Sequence, residues 1–430
     1  MMSSNKLSSV FGITTFGESH GPAIGILFDS PIPNQIFPME ELRAALRRRA
    51  PQGKHSTARI EPDDIEILSG VFEGKTTGSP LCIIVRNRSA RSLDYEAIRN
   101  LIRPGYADYS WLQKYHIFDY RGGGRASGRE TVARVIAAEL LKSLLKNIHI
   151  SSQCLRIGML STEESPSKPT NPYYWPDADG YSNLIKYLDE VKARSDSVGG
   201  VIRVRAQNVP PGLGDPIYEK LSANIAKAML SIGSVRGILF GEGLALAEMP
   251  GSLVNDQFQK GKPTSNHHGG ILGGVSTGQD IVFDLIIRPV SGIGTEQQTI
   301  DLQGKDSKIT IEGRHDTCHL PRLVPVIEAM LIICLADALQ HQRLIRGNAD
   351  LDAYREALDK LDEDLILLVA RRRNLVRQVK KYKEEHGIAP KDPSREQDIM
   401  IRSRYLAEQT GMDPDLVEDL MRKNLEISAL

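Results

Sequence analysis

The segment RGGGRASGRETVARVIAAELL, residues 121–141, joins a loop of glycines and arginines to the start of an apolar helix. Ser127 and Glu130 have the spacing of a capping box, which predicts that a helix begins directly after the loop. A helix N-terminus offers free N–H groups and a partial positive charge, and Arg125 and Arg129 add two guanidinium groups. The segment therefore predicts a binding site for phosphate or another anion.

The sequence around this segment, residues 1–346, predicts a mixed fold. Short β-branched runs such as IRVRAQNV and QDIVFDLIIR alternate with loops rich in glycine, proline, serine and asparagine and with several helical stretches. We therefore expect an α+β domain. Only three of the 37 glycines lie beyond residue 346, so the segment RGNADLD, residues 346–352, is the expected boundary.

Residues 353–430 predict an all-helical domain, because 31 of these 78 residues are charged and leucine and valine recur at helical spacing. Three helices are predicted, near residues 353–385, 393–410 and 413–428. The second would be entered through Pro393 and Ser394, and the third would have Asp413 as its N-cap and Pro414 in its first turn. Because three one-sided helices make a thin core, we expect this domain to dimerise.

Composition excludes several classes of protein. The 54 basic residues balance the 54 acidic ones, which removes the overall positive field that non-specific nucleic-acid binding requires. Four cysteines without CxxC spacing argue against a zinc site or a disulfide framework and suit a reducing compartment. The N-terminal sequence lacks the pattern of a signal peptide, and we expect no apolar stretch that approaches ~20 residues. The sequence thus predicts a cytoplasmic protein with no membrane span.

Two further segments suit an anionic ligand. In FGESHGPAIG, residues 16–25, glycines bracket His20, which either faces a ligand or is a turn histidine satisfied by backbone carbonyls. In LRAALRRRAPQGKHSTAR, residues 42–59, the cations either are solvated at a helix end or bind phosphate and carboxylates: Arg43, Arg47, Arg48, Arg49, Lys54 and Arg59.

Three more loops complete the pattern: SNHHGGILGGVSTG at 265–278, RPVSG at 288–292 and GRHDTC at 313–318. Each alone could be a turn between strands. Together they accompany no metal-ligand spacing and no paired catalytic carboxylates. We therefore expect distant loops to assemble one large pocket for an anionic ligand.

These segments, in this order, resemble the chorismate synthase family over residues 6–345. The similar motifs are FGESHG, RPGYADY followed by RGGGRAS, SNHHGGILGG, and GRHDTC followed by VPVIEAM. The resemblance implies a β-α-β sandwich, a homotetramer and reduced FMN (FMNH2) as cofactor, with NADPH as a candidate reductant. It also implies anti-1,4-elimination of phosphate from 5-enolpyruvylshikimate 3-phosphate to give chorismate, without net redox change.

The resemblance also implies site residues. FMN contacts are implied for Arg125, Ala126, Ser127, Gly233, Ser234, Gly273, Arg288, Pro289, Val290, Ser291, Gly292 and Arg314. Contacts with substrate or nicotinamide are implied for Arg48, Lys54 and Arg129. His20 would assist departure of the phosphate as an acid, and Asp316 would manage the proton at flavin N5.

The chain departs from the family at Tyr106, because the family usually reads RPGHAD where this sequence reads RPGYAD. In the family, that histidine keeps the reduced flavin suitably protonated. A phenol of pKa ~10 can donate a hydrogen bond but cannot become a cation near neutral pH. His116, ten residues further on, is a candidate to compensate.

The helical region resembles the helical class of chorismate mutase, which converts chorismate to prephenate in an intertwined dimer. The implied ligand residues are Arg355 (in trans), Arg372, Lys383, Asp392, Arg395, Glu396 and Ser428. Spacing places Arg372 and Lys383 within ~20° of one helix face and ~16 Å apart along it, where they could close on a small dianion. The family's closing Gln or Glu would fall at position 432, whereas the sequence ends at Leu430; we therefore expect weak mutase activity.

The leading interpretation is thus a bifunctional enzyme, a synthase with a mutase-like domain behind it. In one alternative the helical domain is a non-catalytic module for dimerisation or ligand sensing. A nucleic-acid-binding flavoprotein would rest on the RRR run, but neutral net charge and the lack of interleaved aromatic residues argue against it.

Overall fold

The computed structural model describes residues 5–8, 10–29, 31–56, 63–88, 96, 98–311, 316–345, 351–389 and 392–429. The chain forms two compact units, Asn5–Asn348 and Ala349–Leu430.

The first unit contains two antiparallel sheets. One has the strand order β1-β2-β6-β3, formed by Ile13–Gly17, Ala23–Phe28, Leu81–Arg86 and Ile65–Ser69. The other has the order β10-β15-β9-β7-β8, formed by Val235–Phe240, Ile281–Ile287, Gly200–Gln207, His149–Ile157 and Leu160–Ser161. Four hairpins accompany them: β4–β5 (Val71–Phe72, Lys75–Thr76), β11–β12 (Phe258–Gln259, Lys262–Pro263), β13–β14 (Ile271–Leu272, Val275–Ser276) and β16–β17 (Gln297–Ile300, Asp306–Ile309).

Seven α-helices are described in this unit: α1 Met39–Arg49, α2 Asp108–Tyr115, α3 Thr131–Leu141, α4 Tyr181–Ala193, α5 Leu221–Leu230, α6 Gly251–Val254 and α7 Leu320–Ile345. Helix α3 packs on β1 and β2 of the first sheet and on α7, while α7 packs on β7 and β9 of the second sheet. Helices therefore lie between the two sheets, and the predicted α+β fold with a β-α-β sandwich is confirmed.

The strand β9 shows how the sequence selects this packing. Its side chains alternate, so that Ile202 and Val204 are fully buried while Arg203 and Arg205 point to the other face. There Arg203 pairs with Asp284 on the neighbouring strand at 2.8 Å. One face of the sheet therefore joins the core, and the other is covered by ion pairs.

Helix α7 is a core helix. By length and composition it could cross a membrane, with a mean hydropathy of 1.9 over its most apolar window, so the expectation that no stretch approaches that length was wrong. Leu320, Val324, Ile327 and Leu331 are nevertheless all 0% exposed. The apolar composition thus reflects burial between α3, α5 and the second sheet.

The entry into α3 differs from the predicted capping box. Two short 3-10 turns, Gly124–Ala126 and Gly128–Glu130, precede the helix. Ser127 Oγ accepts a hydrogen bond from the N–H of Arg129 at 3.3 Å, whereas the Glu130 carboxylate pairs with Arg134 at 2.9 Å. The Glu130 half of the prediction is wrong, because a guanidinium one turn along is a stronger partner for this buried carboxylate than a backbone N–H.

The second unit consists of three helices, α8 Leu351–Glu385, α9 Pro393–Thr410 and α10 Pro414–Ala429. Helix α10 packs on both α8 and α9. Asp392 caps α9 by accepting from the N–H of Arg395 at 3.0 Å, and Asp413 accepts from the N–H of Asp415 at 2.8 Å. The three helices predicted from the sequence are confirmed.

Apolar side chains of α8 remain exposed within this unit. We call Leu358, Leu361, Leu365, Leu368 and Leu375 the α8 leucine stripe; each is at least 50% exposed. Among the described side chains of the unit, only Ser403 and Ala407 are buried. The helical unit by itself therefore covers little apolar surface.

The contact between layers can be tested at Ile136 of α3, which is 0% exposed. We expect Ile136→Ala to lower the free energy of unfolding of the first unit by about 2–5 kcal/mol, because it leaves a cavity between helix and sheet. Leu140→Ala, at a partly buried position of the same helix, should cost less. Urea unfolding followed by tryptophan fluorescence measures this, since Trp111 and Trp175 both lie in the first unit. Equal midpoints for Ile136→Ala and the unchanged chain would contradict the assignment.

Candidate functional site

The turn between β1 and β2, which carries His20, meets the glycine and arginine loop. The N–H of Ser19 donates to the carbonyl of Gly124 at 3.3 Å. Asn87 donates from Nδ2 to two backbone oxygens of the His20 turn at 2.9 and 2.8 Å, and its Oδ1 accepts from Nε of Arg129 at 3.2 Å. The structure thus brings together two of the segments singled out in the sequence.

A single carboxylate, Asp63, joins two arginines beneath these loops. Arg49 at the end of α1 donates to Asp63 Oδ2 at 3.1 Å, and Arg129 donates to Oδ1 of the same carboxylate. Arg49 is 5% exposed. Burial, aided by the charges of Arg322 and Arg129, lowers the pKa of Arg49 although Asp63 acts in the opposite direction. Among the described residues, two buried guanidinium groups thus share one carboxylate, an arrangement that suits an anionic ligand.

Arg125 shows more directly that the loop fits an anion. Its Nη2 donates to Oδ1 of Asn5 at 3.0 Å and to Oγ1 of Thr15 at 2.9 Å. Its Nη1 is buried and has no hydrogen-bond partner within the described residues. The same is true of Nε of Arg49 and of Nε of Arg288. A buried donor left without a partner costs about 1–3 kcal/mol, and more when charged. An anionic ligand would remove that cost.

A second cluster joins the RPGYAD and RPVSG loops. The carbonyl of Gly105 accepts from Nη2 of Arg288 at 3.1 Å and from Oγ of Ser291 at 2.9 Å. A Cβ on Gly105, which has φ +74°, would lie 2.8 Å from that Oγ, so this approach requires glycine. The N–H of Arg288 donates to the carbonyl of Ser234 at 3.0 Å. Burial, then the charge of Arg236, lowers the pKa of Arg288. The implied FMN residues of these loops therefore lie side by side.

Tyr106 is held in this second cluster by Arg103. The guanidinium of Arg103 lies 4.3 Å from the centre of the Tyr106 ring. Its Nε and Nη2 donate to the two oxygens of the Asp108 carboxylate, each at 2.7 Å. His116 is exposed at the C-cap of α2. Eight residues of helix separate it from Asp108, about 12 Å at 1.5 Å per residue. The structure thus places His116 away from Tyr106.

The segment that leads into α7 is tied to two other parts of the first unit. Asp316 Oδ2 accepts from Nη1 of Arg322 at 2.7 Å. The N–H of Thr317 donates to the carbonyl of His55 at 3.0 Å, and the carbonyl of Thr317 accepts from the N–H of Val198 at 2.9 Å. These contacts join the segment to the basic stretch at residues 42–59 on one side and to the residues just before β9 on the other.

Arg48 and Lys54 are each oriented by a carboxylate from a helix. Nη2 of Arg48 lies 2.8 Å from Oε2 of Glu328 on α7. Although burial acts to lower the pKa of Arg48, Glu328 and Tyr174 raise it above its ordinary value. Nζ of Lys54 lies 2.7 Å from Oδ2 of Asp189 on α4. Arg48 is therefore held by a partly buried partner, whereas Lys54 forms an exposed ion pair.

The remaining implied FMN residues lie in the loops just described, at two other glycines, or outside the described residues. Ala126 and Ser127 adjoin Arg125, and Pro289, Val290 and Gly292 adjoin Arg288 in the loops just described. Gly233 precedes Ser234, and a Cβ there would meet open space. Gly273, with φ +62°, lies in the β13–β14 hairpin; the neighbour Gly274 of this hairpin accepts from the N–H of Leu221. Arg314 lies outside the described residues.

Several residues of the site were not singled out as ligands from the sequence: Asp63, Asn87, His319, Arg322 and Glu328. Arg49, one of the cations named in the basic segment at residues 42–59, is brought into the site because it follows Leu42 and Leu46 at helical spacing on the buried face of α1. Asp63 and Asn87 had no signal in the sequence, because their partner Arg129 is distant along the chain. It lies 66 residues from Asp63 and 42 residues from Asn87.

The helical unit holds the residues that the mutase resemblance implies. Nη1 of Arg372 donates to the carbonyl of Asn424 at 3.2 Å, which ties α8 to α10. Lys383 lies on the same helix, while Asp392, Arg395 and Glu396 form the start of α9; the side chain of Ser428 lies outside those described. Because α8 is continuous, Arg355 lies about 25 Å from Arg372 along its axis, too far for one small ligand in a single chain.

Comparison with known proteins agrees with this division. The sequence model of the chorismate synthase family matches residues 11–340, and that of chorismate mutase type II matches residues 354–429. The chorismate synthase of Roseiflexus castenholzii is 43% identical over 355 residues, which is 80% of this chain and 99% of the relative. That of Chloroflexus aggregans is also 43% identical over 355 residues, 80% and 98%. A crystal structure of a chorismate synthase has a TM-score of 0.60 and 30% identity, covering 82% of this chain and 96% of that one.

The shared carboxylate can be tested against its neighbour in sequence. We expect Asp63→Asn to lower the free energy of unfolding of the first unit by about 3–5 kcal/mol, because it leaves two buried guanidinium groups without their counter-charge. Asp64→Asn, which breaks an exposed pair with Arg88, should cost no more than about 1 kcal/mol. Urea unfolding of both variants measures the difference, and an equal effect would contradict the role of Asp63.

Proposed function

Because the chain belongs to the chorismate synthase family and carries a chorismate mutase type II domain behind it, we propose that it makes chorismate and converts it to prephenate. The first unit would eliminate phosphate from 5-enolpyruvylshikimate 3-phosphate. The observation that carries this proposal is the pair of buried guanidinium groups, Arg49 and Arg129, on the single carboxylate of Asp63, with Nε of Arg49 satisfied by no described residue.

Reduced FMN is the proposed cofactor, and when bound it supplies an electron-rich ring that takes part in cleaving the C6–H bond of the substrate. The residues that would hold it are Arg125, Ala126, Ser127, Ser234, Arg288 and Ser291. The unsatisfied Nη1 of Arg125 and Nε of Arg288 support this assignment. NADPH is the proposed reductant. The observation that supports this choice is the presence of two cations, Arg48 and Lys54, each paired with a carboxylate.

The residues of the chain would perform three tasks in the elimination. Arg129 and Arg49 would stabilise the phosphate as the C–O bond breaks and its electron pair leaves with the oxygen. His20, in the adjoining turn, would donate a proton to that oxygen. Asp316, held by Arg322, would control the proton that originates at C6. Loss of phosphate and of one hydrogen leaves two ring double bonds where there was one, so no net oxidation occurs.

The binding role of the loop can be tested at Arg125. We expect Arg125→Ala to weaken FMN binding roughly ten- to a hundredfold, because it removes a charge-assisted hydrogen bond. Arg121→Ala is a matched control in the same loop, since Arg121 pairs with Asp119 and is 44% exposed. Fluorescence titration with FMN, with and without the phosphorylated substrate, measures both. Unchanged affinity in Arg125→Ala would remove the loop from the flavin site.

The acid and base roles can be tested by turnover. His20→Ala and Asp316→Asn should each lower the rate of chorismate formation by roughly 10²–10⁴, the usual effect of losing a positioned acid or base. The assay is anaerobic, with chemically reduced FMN and saturating substrate. His116→Ala, at an exposed position, serves as the control and should keep the normal rate. A variant that retains turnover loses its assigned role.

The helical unit would act as a mutase through charge placement. Conversion of chorismate to prephenate needs a compact substrate conformer and positive charge where the breaking ether oxygen gains electron density. Arg372 and Arg395 would orient the two carboxylates, and Lys383 would face the ether oxygen. The position of Arg372, fixed by its bond to the Asn424 carbonyl, supports this assignment. The alternative of a non-catalytic module is not favoured.

Assembly is part of the proposal. The exposed α8 leucine stripe and the distance from Arg355 to Arg372 along α8 support a helical dimer in which Arg355 serves the site of a second copy. Exposed apolar side chains of the first unit, such as Met159 at 82% and Leu244 at 74%, support self-association of that unit as well. We propose a homotetramer that works in the cytoplasm.

The mutase assignment can be tested at Lys383. We expect Lys383→Ala to lower prephenate formation from added chorismate by roughly 10²–10³, as for loss of one preorganised donor at a developing negative charge. Lys381→Ala is the control two residues away, because that side chain is 78% exposed and pairs with Glu385. Both are measured in the full chain. Equal rates for the two variants would contradict the assignment.

A further inference from the structure

His319 is a buried histidine between the two clusters of the first unit. It directly precedes α7, and its carbonyl accepts from the N–H of Arg322, the residue that pairs with Asp316. The side chain is 8% exposed. The charges of Arg322 and Arg288 both act on the imidazole, so the ring is buried near groups of both clusters.

Both ring nitrogens of His319, Nδ1 and Nε2, are buried and have no hydrogen-bond partner within the described residues. A buried polar atom without a partner destabilises the folded state, and such atoms are few in native proteins. The carboxylate nearest in sequence, Asp316, is directed at Arg322 with 2.7 Å between the two groups. A ligand bound in this site is therefore the natural partner of the imidazole.

The chemistry of the imidazole narrows the kind of ligand. Burial lowers the pKa of His319 to about 4, so near pH 7 the ring is neutral, with one N–H donor and one acceptor. The charged groups that act on it are Asp316, Arg322 and Arg288. These arginines already supply the positive charge that phosphate and carboxylates require. A neutral ring instead suits a planar ligand with alternating donors and acceptors, which is the polar edge of an isoalloxazine.

We propose that His319 binds the flavin, with a ring nitrogen hydrogen-bonded to the polar edge of the isoalloxazine. This assignment rests on the proposed function, since it requires that the first unit binds FMN. It adds to that function a ligand residue directly before α7, three positions after Asp316, that faces the ring rather than the phosphate tail. In the bound state the cost of burying the imidazole nitrogens is removed.

The test compares two variants of similar size. His319→Leu removes both polar nitrogens, whereas His319→Asn keeps one donor and one acceptor. We expect His319→Leu to weaken FMN binding about three- to tenfold, the effect of one neutral hydrogen bond, and to shift the visible absorption band of the bound flavin. His319→Asn should stay closer to the unchanged chain in both respects. His149→Leu, at an exposed position at the start of β7, is the control.

Thermal unfolding separates binding from a merely structural role. Because the imidazole nitrogens lack partners, His319→Leu should unfold at the same or a higher temperature than the unchanged chain when no flavin is present. A variant that unfolds earlier, binds FMN normally and leaves its spectrum unchanged would overturn the proposal and leave the proposed function intact. Failure of the unchanged chain to bind FMN, even with the phosphorylated substrate present, would overturn both. If His319→Leu does not fold, FMN affinity and the flavin absorption band of His319→Asn test the proposal: values equal to those of a variant without any polar group at this position, such as His319→Ala, would overturn it.

Discussion

The site of the first unit depends on one buried carboxylate, Asp63, which is shared by Arg49 and Arg129. Two guanidinium groups so close together would repel each other and could not both lose their water without a counter-charge. Asp63 supplies that charge to both of them. The end of α1 and the start of α3 are thereby held together, and Asn87 extends the connection from Arg129 to the His20 turn. This arrangement suits the proposed site for a phosphorylated substrate.

The sandwich gives these charges a fixed frame. Helix α7 crosses the core between the sheets and brings Asp316, His319 and Arg322 to one end, while Glu328, further along the same helix, orients Arg48. The RPGYAD and RPVSG loops approach closely at Gly105. The helical unit follows a different principle, since its charged residues are spaced along one long helix and its leucine stripe is exposed. The proposed synthase site is thus built within a core, whereas the proposed mutase site would be completed by a second copy.

Features set by local chemistry could be predicted from the sequence. The caps at Asp392 and Asp413 and the spacing of leucines determined the helices of the second unit, because each signal acts within a few residues. The entry to α3 was mispredicted, since Glu130 found Arg134 rather than the N–H of its own turn. The role of Asp63 could not be predicted, because both its partners are set by tertiary packing. His319 stood outside every motif, and its burial became evident only from the folded chain.

The central claim is that this buried, cation-rich site eliminates phosphate from 5-enolpyruvylshikimate 3-phosphate with help from reduced flavin. The most direct test is an anaerobic incubation of the full chain with chemically reduced FMN and that substrate, in which inorganic phosphate, chorismate with its product prephenate, and the redox state of the flavin are measured together. The account predicts that phosphate equals the sum of chorismate and prephenate while the flavin stays reduced. Release of phosphate without either product, or product formed only as flavin is oxidised in equal amount, would contradict it.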